Sequence, residues 1–312
     1  MRILVYGAGV IGSNLAADLY ASGKDVTLLA RGAWADVIEK NGLTIESAIT
    51  HRKKNFRIPV IRSLKKTDLY DVIFVVLRST QADSVTDVLR ENISRNIVFT
   101  GNSLSAEKTA EKLKGRNVMF AFYMAAGRRE EDRVVSFTMK KITIGQLEDS
   151  MANEELVRRI FSDTKIRVTY EPNMGDYLLC HAAFVVPVGF ACYHCDGDLG
   201  RIKNDKEYLN RIIDANIEGY QAIENAGHVI LPASDQDYHS SRYRKLCYAV
   251  YKVMCSTPIG TICASNHAMN AADEMLSLSC ELKRFFDGTG AEYPVYKELE
   301  ADALEHLQNG KE

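Results

Sequence analysis

The first half of the chain alternates short apolar runs with stretches whose apolar residues recur at helical spacing. Residues 2–6 form an apolar run that ends on Gly7. Residues 10–22 then place Ile11, Leu15 and Leu19 on one stripe before Gly23 closes the helix. Further apolar runs follow at 26–30, 71–77 (DVIFVVL), 96–100 (NIVFT) and 118–122, with helical patterns at 80–90 and 106–113. Runs that are apolar at consecutive positions suit strands buried on both faces, which predicts a parallel sheet covered by helices. Two stretches break the alternation. Residues 43–64 hold strand-like pieces around the basic run His51-Arg52-Lys53-Lys54, which reads as an excursion off the sheet with a solvated turn. Residues 133–145 alternate in polarity, as antiparallel strands added at one edge would.

Beyond about Tyr170 the strand signals stop. Residues 174–193, 207–226, 235–254, 268–286 and 295–307 carry helical patterns, with Gly288 and Gly290 between the last two and Pro294 at a first-turn position. The expectation is two domains: an α/β Rossmann-type domain over 1–170 and an all-helical domain over 171–312. The linker falls at 168–173, around Pro172. The longest apolar stretch, near 184–193, contains Pro187 and is short of the ~20 residues a membrane span needs. The start, Met1-Arg2-Ile3-Leu4-Val5-Tyr6-Gly7, meets glycine too soon to read as a signal peptide.

Charge and cysteine content narrow the class. Lys and Arg total 39 against 41 Asp and Glu, a formal charge of -2, which gives no footprint for nucleic acid or an anionic membrane. All seven cysteines lie in the second half, and an odd count without a secretory leader fits a reducing compartment, so a cytoplasmic protein is expected. Cys192-Tyr193-His194-Cys195 has C-x-x-C spacing, but no second pair follows at zinc-like distance, with only Cys180 and His181 as added ligands. No metal is predicted.

The strongest chemical signal is Gly7-Ala8-Gly9-Val10-Ile11-Gly12, a G-x-G-x-x-G sequence directly after a strand and opening a helix. The first glycine permits the tight turn, the second lets backbone approach a pyrophosphate, and the third lets helix and strand pack closely. The helix N-terminus adds free N–H groups and positive potential. The next strand ends Leu28-Leu29-Ala30-Arg31-Gly32. An NAD site places an acid here for the ribose hydroxyls, whereas an NADP site places a cation for the 2′-phosphate. Arg31 therefore predicts NADP(H).

With these features in order, the sequence resembles the ketopantoate reductase (2-dehydropantoate 2-reductase) family. Leu77-Arg78-Ser79-Thr80-Gln81 is similar to the family's segment in which Lys precedes Gln by three, and Thr100-Gly101-Asn102-Ser103 to its Asn-Gly loop. Residues 124–129 (MAAGRR) and 141–145 resemble the strands that close its first domain. Glu274-Met275-Leu276, followed by Gly290-Ala291-Glu292-Tyr293-Pro294-Val295, resembles its Glu-Ile-Asp helix and Gly-x-x-x-Pro-Val turn. The resemblance implies a 6-phosphogluconate-dehydrogenase-like fold, NADPH-dependent reduction of a small 2-oxo acid in an interdomain cleft, and a possible homodimer. It also implies that Asn102 contacts nicotinamide or ribose, and that Arg78 replaces a Lys reaching phosphate or substrate carboxylate.

One part of the pattern is missing. The family's first helix of the second domain carries a proton-donating Lys, then Asn four and eight positions on, then Pro. Counting back from Pro187, these positions hold Leu178, Ala182 and Val186. His181 lies on the same helix face as Leu178 and is the candidate replacement acid, as imidazolium, with Glu274 holding the substrate hydroxyl or raising the histidine's pKa. Asn266 and His267, just before the Glu274 helix, read as capping or loop residues, with a place lining the cleft as the alternative. The competing expectation is an NADP(H)-binding sensor or interaction protein without turnover.

Overall fold

The computed structural model describes residues 1–147 and 151–309. They form two compact units, Met1–Gly175 and Asp176–Glu312. The first is α/β and the second helical, the predicted fold class. Arg167–Glu171 is a strand of the first unit, so the boundary falls later than position 170, and most of the expected 168–173 linker is sheet.

In the first unit, strands β1 (Arg2–Tyr6), β2 (Asp25–Leu29), β3 (Leu43–Ser47), β4 (Lys53–Phe56), β5 (Val60–Ile61), β6 (Val72–Val75), β7 (Asn96–Thr100), β8 (Asn117–Arg129), β9 (Val134–Gly145) and β10 (Arg167–Glu171) build a single sheet. Its order is β4-β3-β9-β8-β7-β6-β1-β2-β5, with β10 also pairing β9. The segment β5-β2-β1-β6-β7-β8 is parallel throughout. The apolar runs explain this centre: every residue of β6 (VIFV) is buried, as a strand covered on both faces must be. Helices α1 (Val10–Tyr20), α2 (Gly32–Asn41), α3 (Ser79–Ala82), α4 (Thr86–Glu91), α5 (Ala106–Lys112) and α6 (Met151–Phe161) fill the connections.

The 43–64 stretch is not an excursion off the sheet. It contributes β3 and β4 to one edge and β5 to the other. The basic run is tied into that edge: Lys53, His51 and Arg133 all lie within ion-pair distance of the buried Glu46, at 3.6, 3.5 and 2.8 Å. Nor is 133–145 an edge. β9 runs antiparallel to β8, and its far side pairs β3 along its first half and β10 along its second.

Polar contacts fix α1 on this sheet. Tyr123 on β8 donates to Asp18 at 2.6 Å, Lys140 on β9 pairs with the same carboxylate, and Ser136 donates to Asn14 at 3.0 Å.

The second unit centres on α7 (Met174–His194), a 21-residue helix that begins at the end of the first unit. By length and composition it could cross a membrane, contrary to the shorter apolar stretch expected from sequence. It is instead a core helix, 72% buried over its most apolar window. Pro187 cannot donate to the carbonyl four residues back. Asn216 on α8 (Lys206–Asn225) makes up the loss, its amide donating to the Ala183 and Phe184 carbonyls at 3.1 and 3.0 Å. Helices α9 (Ser241–Ser256), α10 (Pro258–Gly260), α11 (Asn266–Asn270), α12 (Ala272–Thr289) and α13 (Pro294–Asn309) complete the unit. The α13 N-terminus is capped by Glu218, which accepts from the Val295 and Tyr296 N–H groups at 3.0 and 2.8 Å.

Candidate functional site

β1 ends at Tyr6 and α1 starts at Val10, so Gly7-Ala8-Gly9 is the whole connection. Two of the three motif glycines are demanded by the protein's own packing. Gly7 has φ +120°, and a Cβ there would lie 2.3 Å from the Val76 carbonyl oxygen. A Cβ at Gly12 would lie 2.0 Å from the Gly7 oxygen. Gly9 differs. Its φ of -73° suits any residue, and a Cβ there would meet no atom within 4 Å. Nothing internal requires glycine at this position, and the space it leaves open lies against the N-terminus of α1. No side chain caps that end, so its first N–H groups are available to an anion. The loop is held rigid from behind, with the Trp34 indole and Ser13 hydroxyl donating to the Ala8 carbonyl at 2.9 and 3.2 Å.

The topology gathers the other predicted residues here. β1 lies between β2 and β6, where the chain's path across the sheet reverses. In open α/β sheets ligands bind outside the strand carboxyl ends at such a point. Arg31 follows β2, Arg78 follows β6 and Asn102 follows β7, all at this carboxyl edge. Arg31 is exposed and its guanidinium donates to the Tyr6 hydroxyl at 2.6 Å, which holds it in place at the uncapped start of α2. Arg129 lies 5.5 Å from the Trp34 ring centroid, adding positive charge nearby. The Asn102 Oδ1 is buried and has no hydrogen-bond partner among the described residues. An open cradle, a free helix N-terminus, a fixed cation and an orphaned amide oxygen together fit a nicotinamide dinucleotide.

The second unit contains His181 and Glu274. The positions where the resemblance placed Lys and two Asn are apolar and buried: Leu178, Ala182 and Val186 are 3%, 1% and 0% exposed. His181 stacks on Tyr177, with centroids 6.2 Å apart and planes 5° apart. The ring keeps a partly accessible edge, but its Nε2 is buried. That burial, with a smaller contribution from the charge of His267, pushes the imidazole down to about 4. The ring is therefore neutral at pH 7, not the imidazolium the sequence reading assumed.

Glu274 is buried in the first turn of α12, where the helix N-terminus favours a carboxylate. Its Oε2 lies 3.9 Å from the Nε2 of His267. Thus His267 belongs with the predicted pair, although sequence gave it a capping or loop role. The signal available was its spacing, seven residues before Glu274 across a helix break. The C-x-x-C cysteines are buried, with both thiols pushed up to about 12 by that burial, so neither presents a thiolate.

Comparison with known proteins places this geometry. Residues 3–149 match the profile described as ketopantoate reductase PanE/ApbA. A 2-dehydropantoate 2-reductase of Pyrococcus horikoshii is 32% identical over 122 residues, a stretch spanning 38% of this chain and only 38% of that protein. One from Archaeoglobus fulgidus is 22% identical over 238 residues, 75% of this chain and 78% of that one. Among solved structures, a 2-dehydropantoate 2-reductase from Geobacter metallireducens superposes with a TM-score of 0.81 at 15% identity, covering 98% of this chain and 99% of that one. D-mandelate dehydrogenase, solved with NADH and anilino(oxo)acetate, gives 0.80 at 16% identity over 99% of both chains. A dimeric ketopantoate reductase from Staphylococcus aureus gives 0.74 at 15% identity over 99% of both. The similarity to the ketopantoate reductase family thus lies in residues 3–149 of the first unit, and the solved structures share the fold of both units.

Proposed function

We propose that this protein is an NADPH-dependent oxidoreductase that reduces a 2-oxo acid or similar small carbonyl compound to the corresponding hydroxy compound. The observation that carries the reading is Gly9, a glycine the protein's own packing does not need, beside the open N-terminus of α1 and within the same strand edge as Arg31. The cofactor, when bound, supplies the hydride. The backbone of residues 7–12 holds its pyrophosphate, Arg31 pairs with the 2′-phosphate, and Asn102 bonds to the carboxamide or ribose. Arg78 reaches a phosphate or the substrate carboxylate, where its planar guanidinium gives a paired grip in place of a lysine point charge.

Glu274 accepts a hydrogen bond from a hydroxyl carried by a hydroxylated 2-oxo acid, or from the hydroxyl formed when the carbonyl is reduced. His181 starts neutral, so it can protonate the carbonyl oxygen only after its pKa rises. A substrate carboxylate beside the ring does this by favouring the charged form, which makes an anionic 2-oxo acid a better substrate than a neutral ketone. His267 and Glu274 position one another through their 3.9 Å contact.

The seven free cysteines suit a reducing cytoplasm. A homodimer is proposed from the dimeric Staphylococcus aureus relative, and the near-balanced charge supports neither nucleic acid nor membrane as a partner.

The test is NADPH oxidation across a panel of 2-oxo acids, with His181→Ala and Glu274→Gln beside the wild-type chain. The expected result is turnover with at least one acid and a loss of kcat of about 10²-fold or more in each variant. Full activity in both variants removes the catalytic assignment. A second reading, an NADP(H)-binding sensor or interaction protein without turnover, is favoured by the buried apolar Leu178, Ala182 and Val186. It predicts binding with no reduction of any acid in the panel.

A further inference from the structure

The C-terminal turn of α7 and the face of α13 carry a cluster outside the proposed catalytic groups. His194 is the last residue of α7. Asp302 and His306 stand four apart on α13, so both project from one face of that helix. The His194 Nδ1 lies 2.7 Å from one Asp302 oxygen, and the His306 Nε2 lies 3.9 Å from the other. One ligand atom from each residue falls within 4.8 Å of the other two. Tetrahedral zinc with nitrogen and oxygen donors at about 2.1 Å needs those donors roughly 3.3 Å apart, and the observed separations bracket that value.

We infer that His194, Asp302 and His306 form a binding site for a divalent transition-metal ion of the zinc type, one that fastens α13 to the end of α7. Two imidazoles and one carboxylate suit Zn²⁺, Co²⁺ or Ni²⁺ better than Mg²⁺ or Ca²⁺, which prefer an all-oxygen shell. Three features beyond the donor set support the assignment. The Tyr208 ring on α8 stacks on His194 with centroids 4.2 Å apart, and its hydroxyl donates to Asp302 at 3.4 Å, so the ligands are oriented by a neighbour as metal ligands commonly are. The carbonyl end of a 21-residue helix favours a cation at His194. The side chains are each about one-third exposed, at 30%, 34% and 37%, so an ion has access from solvent and a water can fill the fourth position.

The adjacent C-x-x-C sequence is then a coincidence of spacing. Its two thiols are buried and protonated, while the histidine between them supplies the ligand.

The experiment is titration of the chelator-treated full chain with ZnCl₂ by calorimetry and with CoCl₂ by visible absorption. One ion per chain is expected, with a cobalt spectrum free of sulfur-to-metal charge transfer. Zinc at 100 times its Kd should raise Tm by roughly 5 °C. His306→Gln and Asp302→Asn, which keep size and polarity, should each weaken zinc binding by about tenfold or more while far-UV circular dichroism stays unchanged. Absence of stoichiometric binding overturns the proposal. So does binding that survives both substitutions, or a sulfur charge-transfer band that assigns the ion to Cys263 or Cys280.

Discussion

The carboxyl edge of the first unit's sheet and the α7 helix of the second occupy the two places where the family pattern puts its chemistry, and they differ in kind. At the sheet edge, the proposed function rests on backbone: two glycines that the fold cannot replace and a third whose Cβ would meet no atom within 4 Å. On α7, the proposed function rests on side chains, and the three positions where the resemblance places polar groups hold buried Leu178, Ala182 and Val186. A site made of backbone and one cation survives sequence divergence more visibly than a site made of interchangeable side chains.

The largest effect that probes this contrast is Gly12→Ala. Its Cβ would fall 2.0 Å from a backbone oxygen that cannot step aside. Destabilisation by about 4 kcal/mol or more is expected in denaturant unfolding. Gly9→Ala should separate folding from binding. Unfolding stays within about 0.5 kcal/mol of wild type, while the NADPH Kd rises about 100-fold. Equal damage to stability from both substitutions would erase the distinction between packing glycines and the ligand glycine.

On the other side of the comparison, His181 has a folded pKa of about 4, below its ordinary 6.5. Between those values the unfolded chain holds a proton that the folded chain does not. Stability therefore rises with pH through that window and is lost as pH falls through it. About 2 kcal/mol is at stake once the ring's partly accessible edge is allowed for. Urea midpoints from pH 4 to 7 should show this slope in the wild-type chain and a shallower one in His181→Gln. An unchanged slope would mean that the ring is not buried neutral. The smallest effect expected is at Arg31. Arg31→Ala should weaken NADPH binding about tenfold and leave NADH binding nearly unchanged, because only the 2′-phosphate contact is lost.

The legibility of the sequence follows the same division. The apolar runs of β1, β6 and β7 and the glycine loop were readable because buried parallel strands and tight turns restrict residue types severely. The 43–64 segment was misread because β4 (KKNF) is a largely exposed edge strand and β5 has two residues, too short for any period to show. Likewise α2 and α6 went unpredicted. α7 was readable as a helix through Pro187, but nothing local in sequence announces that the Asn216 amide will donate to the Ala183 carbonyl that the proline leaves free. Contacts between distant residues were the least readable. His194 beside Asp302 and His306 is set by helix packing that no spacing rule discloses, whereas His267 beside Glu274 had only its seven-residue spacing to announce it.

In the proposed reading, the glycine loop and Arg31 make an NADPH site. Fluorescence titration of the wild-type chain with NADPH and with NADH tests it most directly. One saturable site per chain is expected, with NADPH bound at least about tenfold more tightly than NADH. Equal affinity for the two cofactors, or no binding of either, would contradict it.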